Sequence, residues 1–108
     1  MLYAIGDIHG RLDLLEELLD KLPLEREDRL VFLGDYVDRG MFGVETTIYL
    51  LAFKINFPKC FWMLRGNHEC RQITDNFNFH RECQVLNDPL FFVACIRIAE
   101  FCLLGKIR

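Results

Sequence analysis

Short apolar runs recur at even intervals along the first two thirds of this chain. Each run is four or five residues long, is rich in β-branched, aromatic or leucine side chains, and stops close to a glycine. This length and composition are typical of strands that are buried on both faces. The three runs are LYAI at residues 2–5, LVFL at 30–33 and CFWML at 60–64.

The intervals between these runs have helical periodicity. Apolar residues recur every three or four positions as far as Pro23 in the first interval and nearly to Pro58 in the second. We expect a third helix within residues 70–86 and a fourth after Pro89, because proline suits the first helical position. The periodic residues are Leu12, Leu15, Leu18, Leu19 and Leu22, then Val44, Ile48, Leu51 and Ile55.

This alternation of strands and helices predicts the α/β class. Helical connections between successive strands produce a mostly parallel β-α-β-α-β sheet. In such a sheet the carboxyl ends of the strands share one edge, and ligands bind at that edge. The chemistry of this chain is therefore expected where its apolar runs end.

Polar residues cluster at all three of these ends, in the segments GDIHG, GDYVDRG and RGNHE. In each segment a glycine, which permits a sharp turn or a close approach, is followed at once by Asp or Asn. A parallel sheet would bring the clusters together, although some sixty positions separate the first from the last. The residues concerned are Asp7, His9, Asp35, Asp38, Asn67 and His68.

Four of these side chains suit a centre of two metal ions. Asp7 and His9 are two positions apart, so in extended backbone they would face the same cation. Closely packed carboxylates repel one another unless a cation neutralises them, and mixed oxygen and imidazole ligands suit Mn, Fe or Zn. Asp35 is placed to bridge two ions, and Asn67 offers a neutral oxygen to the second ion.

The remaining three residues suit a phosphate ester. Arg39 carries a planar fork of donors that fits phosphate oxygens. His68 is suited to giving a proton to a departing alkoxide, with Asp38 orienting its ring. Together with the metals, these residues predict a hydrolase in which a metal-bound hydroxide attacks phosphorus in line.

Each motif alone has a simpler explanation. A Gly-Asp pair after a strand is most often a plain turn, and Asn67 could cap a helix. Arg39 could pair with a nearby aspartate on the surface. Three such steps behind three apolar runs are hard to obtain by accident, so we favour the site. Other residues are predicted to pack rather than react: Cys70, Phe77, Phe79, His80, Cys83, Phe91 and Phe92.

The composition argues against two classes of partner, nucleic acid and the lipid bilayer. A net charge of −3 provides no basic field for nucleic acid, and the most apolar segment, Leu90–Leu104, is interrupted by charges and shorter than a membrane span of about 20 residues. An apolar content of 52% over 108 residues indicates one domain, or part of one, with a full core or a surface that expects a partner.

The cysteines indicate free thiols. There are five, none is spaced C-x-x-C, and no signal peptide is visible, which argues against a disulfide framework and against a zinc ribbon. We expect an intracellular, reducing compartment, either cytoplasm or nucleus. Cys60, Cys95 and Cys102 are predicted as small core residues.

The three motifs together resemble the N-terminal signatures of the phosphoprotein phosphatase family, serine/threonine phosphatases of the calcineurin-like metallophosphoesterase superfamily. The resemblance covers Tyr3 to about Gln84. It implies the N-terminal half of an αββα sandwich, so that 1–108 is a partial catalytic domain whose C-terminal half is absent. It also implies an apolar face that lacks its second sheet.

The resemblance also implies a role for each residue. Asp7 and His9 would hold one metal, Asp35 would bridge both, and Asn67 would hold the second. Arg39 would bind phosphate, while His68, paired with Asp38, would be the general acid. Two further histidine ligands and another phosphate-binding arginine belong to the missing half of the family's domain, so the second metal site would be incompletely liganded here.

The expected reaction is hydrolysis of phosphoserine or phosphothreonine in proteins, with a regulatory subunit as a further partner. Two alternatives stay open. One is a dinucleoside polyphosphate hydrolase of the same superfamily, although those enzymes typically have Asp where this chain has Glu69. The other is an inactive phosphatase-derived module that binds phosphate or a partner without turnover.

Overall fold

The computed structural model describes residues 1–86, so the predicted helix after Pro89, the apolar segment Leu90–Leu104 and the positions Phe91, Phe92, Cys95 and Cys102 lie outside the described residues. The strands are β1 (Leu2–Ile5), β2 (Arg29–Phe32) and β3 (Phe61–Met63). The helices are α1 (Leu12–Lys21), α2 (Gly43–Asn56), α3 (Arg71–Thr74) and α4 (Asn78–Val85), with one 3-10 turn at Asn67–Glu69.

The three strands form one parallel sheet in the order β1-β2-β3. In its register, Ile5 lies beside Phe32 and Phe32 lies beside Met63, so all three strands end at the same level. This confirms the predicted α/β class and the β-α-β-α-β order. It also places the three polar loops side by side along one edge of the sheet.

One face of the sheet carries the core. Phe32 and Phe61 are buried there with their ring centroids 4.7 Å apart. Leu15 of α1 and Leu50 of α2 are buried in the same hydrophobic cluster. Because successive strand residues point to opposite faces, every second residue of each run enters this core.

The opposite face of the sheet is apolar and open among the described residues. Leu2, Leu33 and Leu64 are 64%, 47% and 42% exposed, and Val31 and Trp62 lie half-buried between them. The resemblance implied an apolar face without its second sheet, and this stays a prediction for the whole chain.

The third predicted helix is two short helices. The chain leaves α3 after Thr74, and Phe77 is extended at φ −124° before α4 begins. This break lets the backbone N–H of Phe79 reach the loop after β2. The packing predicted for Phe79 and Cys83 is confirmed, since each is 1% exposed. Within residues 1–86, every helix is too short or too polar to cross a bilayer.

Candidate active site

The three loops at the strand ends pack backbone against backbone. Ile8 and His9 both donate their N–H groups to the carbonyl of Asp35, at 3.0 and 2.9 Å. Gly34 has φ +112°, and a side chain there would collide with the backbone of Gly66 in the third loop. A glycine is therefore required for the second and third loops to meet.

Four site residues have left-handed backbone conformations although none is glycine. They are His9, Asp35, Asp38 and Arg39, with φ of 48°, 55°, 70° and 75°. Such conformations cost about 1–3 kcal/mol each and persist only where the surroundings hold them. The prediction that Asp7 and His9 lie in extended backbone is therefore wrong, because the chain turns at His9.

Asp7, His9 and Asp35 form a cluster that can hold a metal ion. One ligand atom from each lies within 4.8 Å of the others. His9 Nδ1 lies 3.0 Å from the carbonyl of Val37, so its N–H donates there and leaves the Nε2 lone pair for a cation. Nε2 itself lies 3.4 Å from Asp7 Oδ2, a spacing that a shared cation would explain. The donor set of two carboxylates and one imidazole fits Mn, Fe or Zn.

Asn67 adds a fourth donor beside Asp35. One terminal atom of its amide lies 3.1 and 2.9 Å from the two Asp35 oxygens, and without a cation this atom is the nitrogen, which donates to both. A half-turn of the amide would present the oxygen to a cation instead. Among the described residues, Asp35 and Asn67 are the donors available for a second ion, which leaves that site incomplete within this part of the chain.

His68 and Asp38 form a buried pair. His68 Nδ1 lies 2.9 Å from Asp38 Oδ2, and the side chains are 5% and 0% exposed. The other Asp38 oxygen accepts hydrogen bonds from the Thr74 hydroxyl and the Phe79 N–H, at 3.0 and 2.9 Å. The His68 ring also meets the ring of His9 edge-on, with centroids 4.8 Å apart. These contacts fix the orientation of the imidazole.

Glu69 joins two loops and was not predicted as a site residue. Its carboxylate accepts hydrogen bonds from the N–H groups of Asp35, Tyr36 and Gly66, at 2.7, 2.6 and 2.9 Å. Burial raises the pKa of the Glu69 carboxyl, and the three N–H donors oppose that rise. The sequence shows this glutamate next to His68 but gives no sign of partners more than thirty positions away.

Arg39 projects from the second loop as an exposed side chain. Within residues 1–86 its guanidinium forms no ion pair with a carboxylate, so the simpler explanation of a surface pair is not supported. The structure thus brings the candidate metal ligands into contact with the Asp38–His68 pair, through the His9 and His68 rings and through the His68 N–H, which donates to Asp35. Within residues 1–86, Arg39 is held by its backbone N–H, which donates to Asn78.

A model of the family described as calcineurin-like phosphoesterase matches residues 2–106. The chain belongs to the calcineurin-like phosphoesterase family. The match runs through all three loops, so the residues of the site lie within the shared part of this family.

Serine/threonine phosphatases are among the relatives of this calcineurin-like phosphoesterase. It is 46% identical over 78 residues to serine/threonine-protein phosphatase PP1-delta of Caenorhabditis elegans, covering 72% of this chain and 26% of that protein. It is also 46% identical over 92 residues to serine/threonine-protein phosphatase 2B catalytic subunit A1 of Saccharomyces cerevisiae, covering 85% of this chain and 17% of that one.

A solved structure shares the fold of this calcineurin-like phosphoesterase. It is a protein serine/threonine phosphatase from Saccharomyces cerevisiae with similarity to human phosphatase PP5, matched with a TM-score of 0.79 at 28% identity. The match covers 88% of this chain and 30% of that one. The chain therefore spans less than a third of the length of each of these relatives.

Proposed function

We propose that this chain provides the metal-binding and proton-donating part of a phosphomonoester hydrolase that acts on phosphoserine and phosphothreonine in proteins. The observation that carries the proposal is the convergence of three loops on one point. There the Asp7, His9 and Asp35 donors lie within 4.8 Å of one another, and the backbone N–H of His68 donates to Asp35 at 2.9 Å. The likeness to named serine/threonine phosphatases supports the choice of substrate.

Asp7, His9, Asp35 and Asn67 are the residues proposed to hold two divalent ions of the Mn, Fe or Zn class, with Asp35 shared between them. Bound there, the ions would polarise the phosphate and activate water. The second ion would need donors beyond the described residues. The oxygen and imidazole donors of this chain support this class of metal over calcium.

The side chains of the protein then bind the substrate and donate a proton to its leaving oxygen. Arg39, whose guanidinium is exposed and unpaired within residues 1–86, would bind the phosphate oxygens as a bidentate fork. His68 would hold a proton at Nε2 and give it to the leaving serine or threonine oxygen. Asp38 accepts the Nδ1–H of the same ring and so keeps Nε2 as the nitrogen that donates.

The test is hydrolysis of a phosphoserine peptide by the intact protein in the presence of Mn²⁺, together with elemental analysis. We expect metal-dependent turnover. Asp35→Asn should lower turnover and metal content together, turnover by a factor of about 100 or more. Asp20→Asn, an exposed carboxylate on α1, is the matched control and should change neither. Full activity in Asp35→Asn would show that the proposed metal site is wrong.

The same assay separates the two alternatives. A protein that cleaves a dinucleoside tetraphosphate faster than the phosphopeptide would be the polyphosphate hydrolase. A protein that binds inorganic phosphate and metal but turns over neither substrate would be a binding module. The family relatives named above favour the phosphopeptide.

The proposal extends to partners and place of action. The 2B relative from Saccharomyces cerevisiae is by name a catalytic subunit, which supports a regulatory subunit as a partner of the complete protein. Cys60 and Cys70 form no disulfide within residues 1–86, which supports a reducing compartment such as the cytoplasm. Co-purification of the tagged intact protein from its own cells, followed by fractionation, tests both.

A further inference from the structure

The backbone of the loop after β2 is held by a side chain from α4. Asn78 Oδ1 accepts a hydrogen bond from the N–H of Arg39 at 2.6 Å, across 39 positions of sequence. Asn78 Nδ2 donates to the carbonyl of Gly40 at 2.7 Å. One side chain thus forms hydrogen bonds with the backbone of two consecutive residues, the N–H of Arg39 and the carbonyl of Gly40.

This stretch needs an external support. Asp38 and Arg39 are consecutive residues in the left-handed conformation, with φ of 70° and 75°, where side chains are disfavoured. Such conformations persist when surrounding groups over-determine them. Asn78 supplies two of the hydrogen bonds that do so. His9 supplies a third, since its carbonyl accepts from the Gly40 N–H at 2.8 Å.

Asn78 is itself locked in one orientation. Its Nδ2 also donates to Glu82 Oε2 at 2.9 Å, one turn further along α4. Glu82 Oε1 in turn accepts the N–H groups of Gly43 and Val44, the first residues of α2, at 2.8 and 3.4 Å. The amide therefore has its nitrogen between two acceptors and its oxygen against a donor, so its two ends are not interchangeable.

We infer that Asn78 is a positioning residue that aims the Arg39 guanidinium at the phosphate group of the substrate. This rests on the proposed function, in which Arg39 binds phosphate. The guanidinium forms no ion pair within residues 1–86, so its direction depends on the backbone from which it extends. Relaxation of the left-handed turn would move that backbone and scatter the side chain among other orientations.

The test is a double-mutant cycle on phosphate binding. Inorganic phosphate is titrated calorimetrically into the intact protein loaded with Mn²⁺, for wild type, Asn78→Ala, Arg39→Ala and the double variant. We expect Arg39→Ala to weaken binding by about tenfold to a hundredfold, the range for a hydrogen bond between charged groups, and Asn78→Ala by about threefold to tenfold. The double variant should bind no more weakly than Arg39→Ala, because Asn78 acts through Arg39.

Two further measurements separate positioning from general stability. Amide hydrogen exchange at Arg39 should become faster in Asn78→Ala, whereas the metal content stays as in wild type. Asn76→Ala is the matched control, because within residues 1–86 this exposed amide donates to the nearby Gln72 carbonyl alone, and it should change neither quantity. Should Asn78→Ala fail to fold, Asn78→Ser keeps a polar side chain that is too short to bridge the Arg39 N–H and the Gly40 carbonyl, and it is expected to weaken phosphate binding as well.

The outcomes distinguish the two levels of the proposal. A wild-type protein that binds metal but no phosphate overturns the proposed function, and the inference with it. Phosphate binding that is equally tight in wild type and Asn78→Ala, or losses that add in the double variant, overturn the inference alone. Losses that do not add, with faster exchange at Arg39 and unchanged metal content, support it.

Discussion

The carboxylate of Asp38 and the imidazole of His68 share a hydrogen bond of 2.9 Å at a place that solvent hardly reaches. A buried carboxylate is tolerated only when its oxygens are satisfied. Here Oδ2 accepts from His68, and Oδ1 accepts from the Thr74 hydroxyl and the Phe79 N–H. The pair proposed for proton donation is therefore supported from α3 and α4, elements that lie beyond all three sequence motifs.

Thr74→Val removes one of these donors while keeping the shape of the side chain. Hydrogen bonds to charged groups contribute about 1.5–3 kcal/mol, so we expect the free energy of unfolding to fall by about that amount. The measurement is urea unfolding followed by circular dichroism.

Thr46→Val is the control for this substitution. The Thr46 hydroxyl is fully buried and has no hydrogen-bond partner among residues 1–86. The same isosteric change there should leave stability unchanged or increase it, because a hydroxyl buried without a partner is a cost. If both variants lost the same free energy of unfolding, the hydrogen bond from Thr74 to Asp38 would make no contribution of its own to stability.

Glu69→Gln should weaken the contact between the second and third loops. The glutamine has a single acceptor oxygen for the three backbone N–H groups that the carboxylate now satisfies. A buried donor left without an acceptor costs about 1–3 kcal/mol, so we expect a loss of at least about 2 kcal/mol in unfolding free energy.

Glu17→Gln is the comparison for Glu69→Gln. This residue forms an exposed i,i+4 ion pair with Lys21 on α1, and such pairs contribute about 0.2–0.5 kcal/mol. Denaturant unfolding should therefore show that Glu69→Gln lowers the free energy of unfolding several times more than Glu17→Gln does. The opposite ranking would mean that Glu69 does not join the loops.

Gly34→Ala should be among the most damaging small substitutions in the chain. Its φ of +112° disfavours any side chain, and the added methyl group would collide with the backbone of Gly66. We expect a loss of more than about 2 kcal/mol. At Gly6, the equivalent glycine of the first motif, an added methyl group would meet nothing within 4 Å. Gly6→Ala should stay within about 0.5 kcal/mol of wild type, and thermal melts of the two variants check this contrast.

Glu82 makes stability depend on pH. Burial raises the pKa of its carboxyl above the ordinary 4.5, against the lowering effect of the Val44 and Gly43 N–H groups. The folded state thus binds this proton more tightly than the unfolded state. The contribution of Glu82 to stability is then fully present below pH 4.5 and is lost as pH rises through the folded pKa.

Unfolding free energies at about pH 4 and about pH 7 measure this effect. The decrease between the two conditions should be larger in wild type than in Glu82→Gln, which has no proton to lose. All other titrating groups are common to both proteins, so the difference isolates Glu82. Identical decreases in the two proteins would rule out its contribution.

The strands and the edge they share were predictable because they depend on local pattern. Apolar runs of strand length, separated by helical periodicity, leave a parallel sheet as the simplest arrangement, and β1, β2 and β3 follow the predicted runs within one residue at each end. The meeting of Asp7, Asp35 and Asn67 follows from that topology alone. Helix α3 and helix α4 were predicted as one, because the break after Thr74 depends on what Asp38 requires from them.

The sequence by itself determined which donors this chain offers and on which edge of the sheet they lie. Only the tertiary structure decided how they are held. The backbone turns left-handed at His9 and Arg39. The hydrogen bonds of Glu69 to Asp35 and Tyr36, and of Asn78 to Arg39, join positions some 30 to 40 residues apart. Such contacts leave no periodic pattern in the sequence, because they arise when loops pack on one another after the sheet has brought them together.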